Sequence, residues 1–119
     1  MIGGVVDFGK LFFSFEGRIN RAAFWLGTLI IWVVLAVAAL LFARDSSTVF
    51  LYVIVAIAVL WPALAVTIKR WHDREKSGWW ILIGLVPLIG PIWALVETGF
   101  LHGTVGPNQY GPDPLATTS

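Results

Sequence analysis

The dozen residues "KRWHDREKSGWW", positions 69–80, hold the densest chemistry in the chain. Six of them carry a full charge, and His72 and Asp73 stand side by side among them. An imidazole that titrates near neutrality beside a carboxylate suits general acid–base catalysis or metal ligation. A metal centre needs three or four ligands with hydrogen-bonding support behind them. The residues able to join are Glu75, Glu97, His102 and Asp113, and there is no cysteine for thiol chemistry or thiolate ligation. Whether these groups meet depends on the elements that carry them.

Hydrophobic residues make up 58% of the 119, and charged residues 13%. Soluble domains run nearer about 45–50% and about 25%. A single domain of this length could not enclose so much apolar surface, whereas lipid accepts it. Three runs lack any charge: residues 22–42, 49–68 and 79–96. About 20 helical residues cross a hydrocarbon core of about 30 Å. The first two runs satisfy that length, and the third does so if it continues to Leu101. None alternates polar with apolar positions as barrel strands do, and backbone groups in lipid must then be satisfied within helices. The first run exceeds the apolar core of a signal peptide and reads as a retained anchor.

The predicted architecture is an all-α integral membrane protein in one domain, with spans at 22–42, 49–68 and 79–101. Val5, Phe8, Leu11, Phe12 and Phe15 share a helical face before the first span, which predicts a short amphipathic helix over 4–16 lying in the interface. Asn20 and Ser77 are placed to cap the first and third spans, and Pro62 should bend the second. Gly, Pro, Asn and Asp make residues 103–119 a succession of turns.

Lys10, Arg18 and Arg21 precede the first span, and Lys69, Arg70, Arg74 and Lys76 follow the second. Arg44 alone falls between spans one and two. Basic residues mark the cytoplasmic side, which places the N-terminus and the 69–78 loop inside. A third span kinked at Pro87, Gly90 and Pro91 puts the C-terminus on the periplasmic side, and that is the expected topology. The alternative is a re-entrant hairpin turning at "PLIGP", which returns the tail to the cytoplasm. Only the hairpin allows His72 and Asp73 to meet Asn108, Tyr110 and Asp113.

The segments "FSFEGRINRAAFW", "KRWHDREKSGWW", "LVPLIGPI" and "GTVGPNQYGPDP" follow one another in this order. In that order and at those spacings they resemble the small bacterial inner-membrane proteins grouped as "domain of unknown function 805". The resemblance runs from Phe12 to Pro114. It rests on Gly17, Arg18, Arg21, Phe24, Trp25, Arg70, His72, Asp73, Ser77, Gly78, Trp79, Trp80, Pro87, Gly90, Asn108, Tyr110, Gly111 and Pro114. Trp71 departs from the pattern, which more often has an aliphatic residue there. The resemblance implies a multi-span plasma-membrane protein and no particular reaction.

With a full third span, Glu97, His102 and Asp113 lie across the bilayer from His72, so too few ligands remain for a metal. No metal, cofactor or catalytic residue is therefore expected. Asp73 should pair with Arg70 or Arg74 and fix a wet interfacial loop. Arg18, Arg21, Arg70, Arg74 and Lys76, with His72, Asp73, Trp79 and Trp80, form a candidate surface for anionic lipid headgroups or a partner. Each basic residue near an anionic leaflet contributes on the order of 1 kcal/mol. Nucleic acid is not an expected partner, because Asp73 and Glu75 dilute the positive field. Ala23/Gly27, Ala39/Ala43 and Gly90/Ala94 offer small-residue faces for close helix contact, within a homo-oligomer or with other membrane proteins. The expected function is non-catalytic, scaffolding or regulatory. The alternative is an oligomeric small-molecule transporter or channel, or a membrane enzyme built on the His72–Asp73 loop.

Overall fold

A computed structural model of the chain describes residues 8–115. The opening of the predicted 4–16 helix and the end of the tail lie outside that range. Helix α1 covers Phe8–Phe13 and α2 covers Arg21–Phe42. Helices α3, Val49–Ala58, and α4, Leu60–Asp73, follow. Next come a 3₁₀ helix at Gly78–Leu85, a short helix α5 at Ile89–Leu95 and a π-turn at Val96–Phe100. Among the described residues there is no strand, only an isolated bridge between Asn108 and Gly111.

Helix α2 starts where Asn20 Oδ1 accepts the amide of Ala23 at 2.8 Å, satisfying one of the orphan donors of the first turn. At about 1.5 Å per residue its 22 residues reach about 33 Å, enough to cross a bilayer. Helices α3 and α4 run almost end to end over 25 residues. They are interrupted at Val59, three residues before Pro62. Proline has no amide to give to Ala58, so the break falls in the turn before it. Large apolar side chains such as Leu29, Trp32, Leu40, Phe50 and Ile57 point outward along these helices. The contact between α2 and α4 is built on a small residue: a Cβ on Gly27 would lie 3.0 Å from Val66 Cγ2. Leu11, Ala23, Phe24 and Val66 form the buried cluster there.

Helix α1 packs along α4. Phe15 stacks on Trp61 at 4.6 Å, and the Trp61 indole N–H donates to the Phe13 carbonyl at 3.2 Å. Lys69 reaches back to the end of α1, donating to Leu11 O at 2.7 Å and also to Lys10 O.

The third apolar segment is a hairpin rather than one kinked helix. Eight residues of 3₁₀ helix rise about 16 Å at about 2.0 Å each, and the twelve from Ile89 to Phe100 about 18 Å, so neither leg spans about 30 Å. The chain reverses at Val86, Pro87 and Leu88. Leu88 holds φ +66° and ψ −59°, a strained γ-turn closed by the Ile89 amide on Pro87 O at 2.7 Å. Gly90 then passes so close to the first leg that a Cβ would collide with Ile83 O at 1.8 Å. Ser77 precedes the 3₁₀ helix, but its side chain makes no capping bond; its carbonyl accepts Trp80 N at 3.1 Å instead. The hairpin ends beside its own start, where Thr104 N donates to Asp73 O at 2.7 Å. That bond departs from the expected full span, which would have carried the tail to the far end of α4.

Candidate functional site

Three separated parts of the chain converge at one end of the bundle. Gly17, at φ +92°, turns the segment between α1 and α2 so that Arg18 points inward. The last turn of α4 supplies Arg70, His72 and Asp73. The tail returning from the hairpin lies across both.

Asp73 sits between two guanidinium groups. Arg18 Nε donates to Asp73 Oδ1 at 2.7 Å, and Arg70 donates to Oδ2. The side chains of Arg18, Arg70 and Asp73 are 2%, 0% and 4% exposed. The remaining donors of Arg18 go to the tail, to Thr104 O at 2.5 Å and Gly106 O at 2.8 Å. Asp113 Oδ1 approaches the same guanidinium at 3.9 Å. Asp113 also accepts the amides of Leu115 and Gly106, each at 2.9 Å. Those backbone donors, with a smaller effect from Arg18, hold its carboxyl below the usual carboxylate range. Two cations thus face two carboxylates. Gly103 permits the crossing, because a Cβ there would meet Asp73 Oδ2 at 1.9 Å.

His72 and Tyr110 form a second link. Their rings stack at 3.9 Å, nearly parallel. His72 Nδ1 lies 2.8 Å from the Gly17 carbonyl, which can only accept, so Nδ1 carries the proton of that bond. Asn108 Nδ2 donates to His72 O at 2.9 Å, and the tail folds on itself through the paired amides of Asn108 and Gly111.

The end of the π-turn is held in a different manner. Helix ends leave their last carbonyls without backbone partners and carry partial negative charge. Here five successive carbonyls accept side-chain donors from α2 and α4 or the residue following it. Arg70 Nε takes Thr98 O at 2.6 Å, Trp25 Nε1 takes Gly99 O at 2.7 Å, and Arg21 takes Phe100 O at 2.8 Å. Arg70 also takes Leu101 O, and Arg74 takes His102 O. Beside them Glu97 accepts Trp93 Nε1 at 2.8 Å and pairs with Lys76 at 2.5 Å and Arg74 at 3.3 Å.

The predicted site residues therefore separate into two groups. Arg18, Arg70, His72 and Asp73, expected on the candidate headgroup or partner surface, are enclosed and bonded to protein. Asp73 pairs with Arg70 as expected, and additionally with Arg18, whereas Arg74 turns to Glu97. Arg21, Arg74 and Lys76 keep part of their surface open, and Trp79 is largely exposed. Trp80 lies between Trp71 and Trp93, with Lys76 Nζ 5.5 Å from the centre of its ring. Pro87 and Gly90 shape the hairpin, Gly78 packs on Ile68, and Asn108, Tyr110 and Gly111 form the tail's contact surface. Pro114 stands in the turn beside Asp113. Among the described residues no group of three His, Cys, Asp or Glu is placed to hold a metal ion. The capture of backbone carbonyls by Arg21 and Trp25 escaped the sequence reading, because a carbonyl acceptor leaves no trace in residue identity.

The same segments carry the relationship to known proteins. The family described as "Protein of unknown function (DUF805)" matches residues 12–112. Inner membrane protein YhaI of Escherichia coli is 36% identical over 109 residues, covering 88% of this chain and 89% of its own. Inner membrane protein YhaH of the same organism is 34% identical over 111 residues, covering 88% and 90%. Uncharacterized protein YiiR is 31% identical over 130 residues, covering 85% and 86%. No solved structure matches the chain. With a family match over most of its length and two inner-membrane relatives above 30% identity, the chain belongs to the DUF805 family of bacterial inner-membrane proteins.

Proposed function

We propose that the chain is a non-catalytic multi-pass protein that binds lipid headgroups or partner membrane helices in a scaffolding or regulatory role. In this reading α2 and the α3–α4 pair cross the bilayer, and the hairpin enters and leaves from the side of the Arg18–Asp73–Arg70 clasp. The density of Lys and Arg at that end makes it cytoplasmic, so the tail is cytoplasmic too, and α1 lies at the same boundary.

One observation carries the non-catalytic reading: Asp73 and Arg70 of the central motif, with Arg18, are saturated by the protein's own groups. Both oxygens of Asp73 accept from guanidinium, and Gly103 closes over one of them. A general base needs reach to a substrate proton, and a buried guanidinium bonded on all sides offers nothing to a headgroup. What remains outward is the apolar surface of α2 and α3 and the half-open cations Arg21, Arg74 and Lys76.

Crosslinking in native membranes from photoreactive residues at Val37 and Ile54 tests this reading. The expected result is a recurring product, a lipid adduct or one discrete partner band from both positions. A strictly monomeric chain with neither lipid nor partner enriched would contradict it. One observation favours the enzyme reading, namely that Asn108 and Tyr110 do reach His72. Under that alternative His72→Ala would remove a cellular phenotype at unchanged abundance. Under the proposal abundance and phenotype fall together.

A further inference from the structure

The outer side of the hairpin carries a groove of about 450 Å³ lined by Leu88, Ile89, Ile92, Trp93, Val96 and Leu101. Its volume falls within the range of about 300–1,000 Å³ usual for small-molecule sites. These residues recur at helical spacing along one face of α5 and the π-turn, so the groove follows the helix from the hairpin tip to the clasp. Its lining is apolar, but what borders it changes along that length. At the tip, Leu88, Ile89 and Ile92 present only hydrocarbon. At the clasp end stands Glu97, bridged by Lys76 and Arg74, which are 27% and 25% exposed. Two cations against the Glu97 carboxylate leave that cluster with one surplus positive charge, while Glu75 turns to the Gln109 amide of the tail.

We propose that this groove holds one acyl chain of an anionic phospholipid, with the lipid phosphate on Arg74 and Lys76. Three features select that occupant. The apolar part lies towards the hairpin tip and the cationic part at the clasp, the same order in which a phospholipid presents tail and head. The surplus charge complements a phosphate that carries no balancing ammonium. Trp93, hydrogen-bonded to Glu97 beside the cations that border the groove, stands where an amphipathic ring is favoured at a membrane boundary. A partner helix of apolar side chains would fill the groove but leave the cationic end without a counter-charge.

The proposal rests on the hairpin re-entering from the clasp side, and the two can fail separately. Native mass spectrometry of the full chain in mild detergent, titrated with phosphatidylglycerol or phosphatidylcholine of identical chains, tests the groove. Wild type should retain phosphatidylglycerol preferentially. R74Q and K76Q should each lower that retention about fivefold, the double variant approaching the phosphatidylcholine level. Ile92 is exposed, so I92W should fold and reduce retention of both lipids by filling the groove. Equal retention of the two lipids by wild type would overturn the proposal, as would unchanged phosphatidylglycerol binding in I92W. A dimer abolished by I92W with lipid retention intact would assign the groove to a second copy and equally overturn it. Failure of the underlying topology would register instead as labelling of V105C from the side opposite S77C.

Discussion

From residue 22 to residue 43 the chain carries no ionisable side chain, and Leu29, Trp32 and Leu40 stand open to their surroundings. In the last turn of α4, by contrast, Arg70 and Asp73 are almost wholly enclosed. The usual distribution of a soluble domain, apolar inside and charged outside, is reversed along the length of one molecule. The two regions are also specified differently. Helix contact in the apolar region is set by shape, with Gly27 admitting Val66, and many apolar side chains would serve equally on the outer face. The clasp is set by pairing, where each guanidinium nitrogen of Arg18 and Arg70 has a named acceptor and removal of the carboxylate leaves buried charge alone.

The largest consequence of that difference is expected at Asp73. D73A leaves the guanidiniums of Arg18 and Arg70 enclosed without their carboxylate. Loss of one partner from a buried pair typically costs about 3–5 kcal/mol. Unfolding in detergent should show a loss of that order and free the tail. A cost below about 1 kcal/mol would mean that the clasp is solvated, as exposed pairs are. An intermediate effect is expected where α2 begins: N20A removes the side-chain acceptor of the Ala23 amide and should cost about 1 kcal/mol, measured in the same way.

Acid should act more weakly at the tail. The Asp113 carboxyl is held below its ordinary value of 3.8, so the folded state binds its proton less readily than the unfolded state. Its contribution is complete above pH 3.8 and is lost as pH falls through the lower folded value. Amide exchange at Gly106 should stay constant from about pH 5 to 8, after correction for intrinsic rates, and accelerate only below 3.8 relative to D113N. At the opposite extreme, Leu40→Val on the outer face should change stability by less than about 0.5 kcal/mol. A large loss there would show that this face is covered by protein and would weaken the contrast.

Much of the apolar region was legible in the sequence, because an uncharged run of 20 residues has few other physical solutions. The Asn20 cap and the break ahead of Pro62 follow from side-chain chemistry at single positions. The clasp was only half legible. Its members stood out as motifs, but their meeting depended on the path of residues 79–101. Pro87, Gly90 and Pro91 marked a disturbance there without giving its angle. Trp, Ile and Leu in "GWWILIGL" do not distinguish a 3₁₀ leg from an α-helix. The tightness at Gly90 against Ile83 O and the positive φ of Leu88 are properties of the folded hairpin that no periodicity announces.

Arg18, Asp73 and Arg70 tie the tail to the loop end of α4, and the proposed threading puts residues on both on one side of the membrane. The absence of cysteine makes single-cysteine labelling in intact cells and inverted vesicles the direct measurement. Ser47, Ser77 and Val105 are all exposed and suit the probe. S77C and V105C should react from the cytoplasmic face and S47C from the periplasmic face. Reaction of V105C together with S47C would contradict this threading, because no tail on that side could reach Asp73.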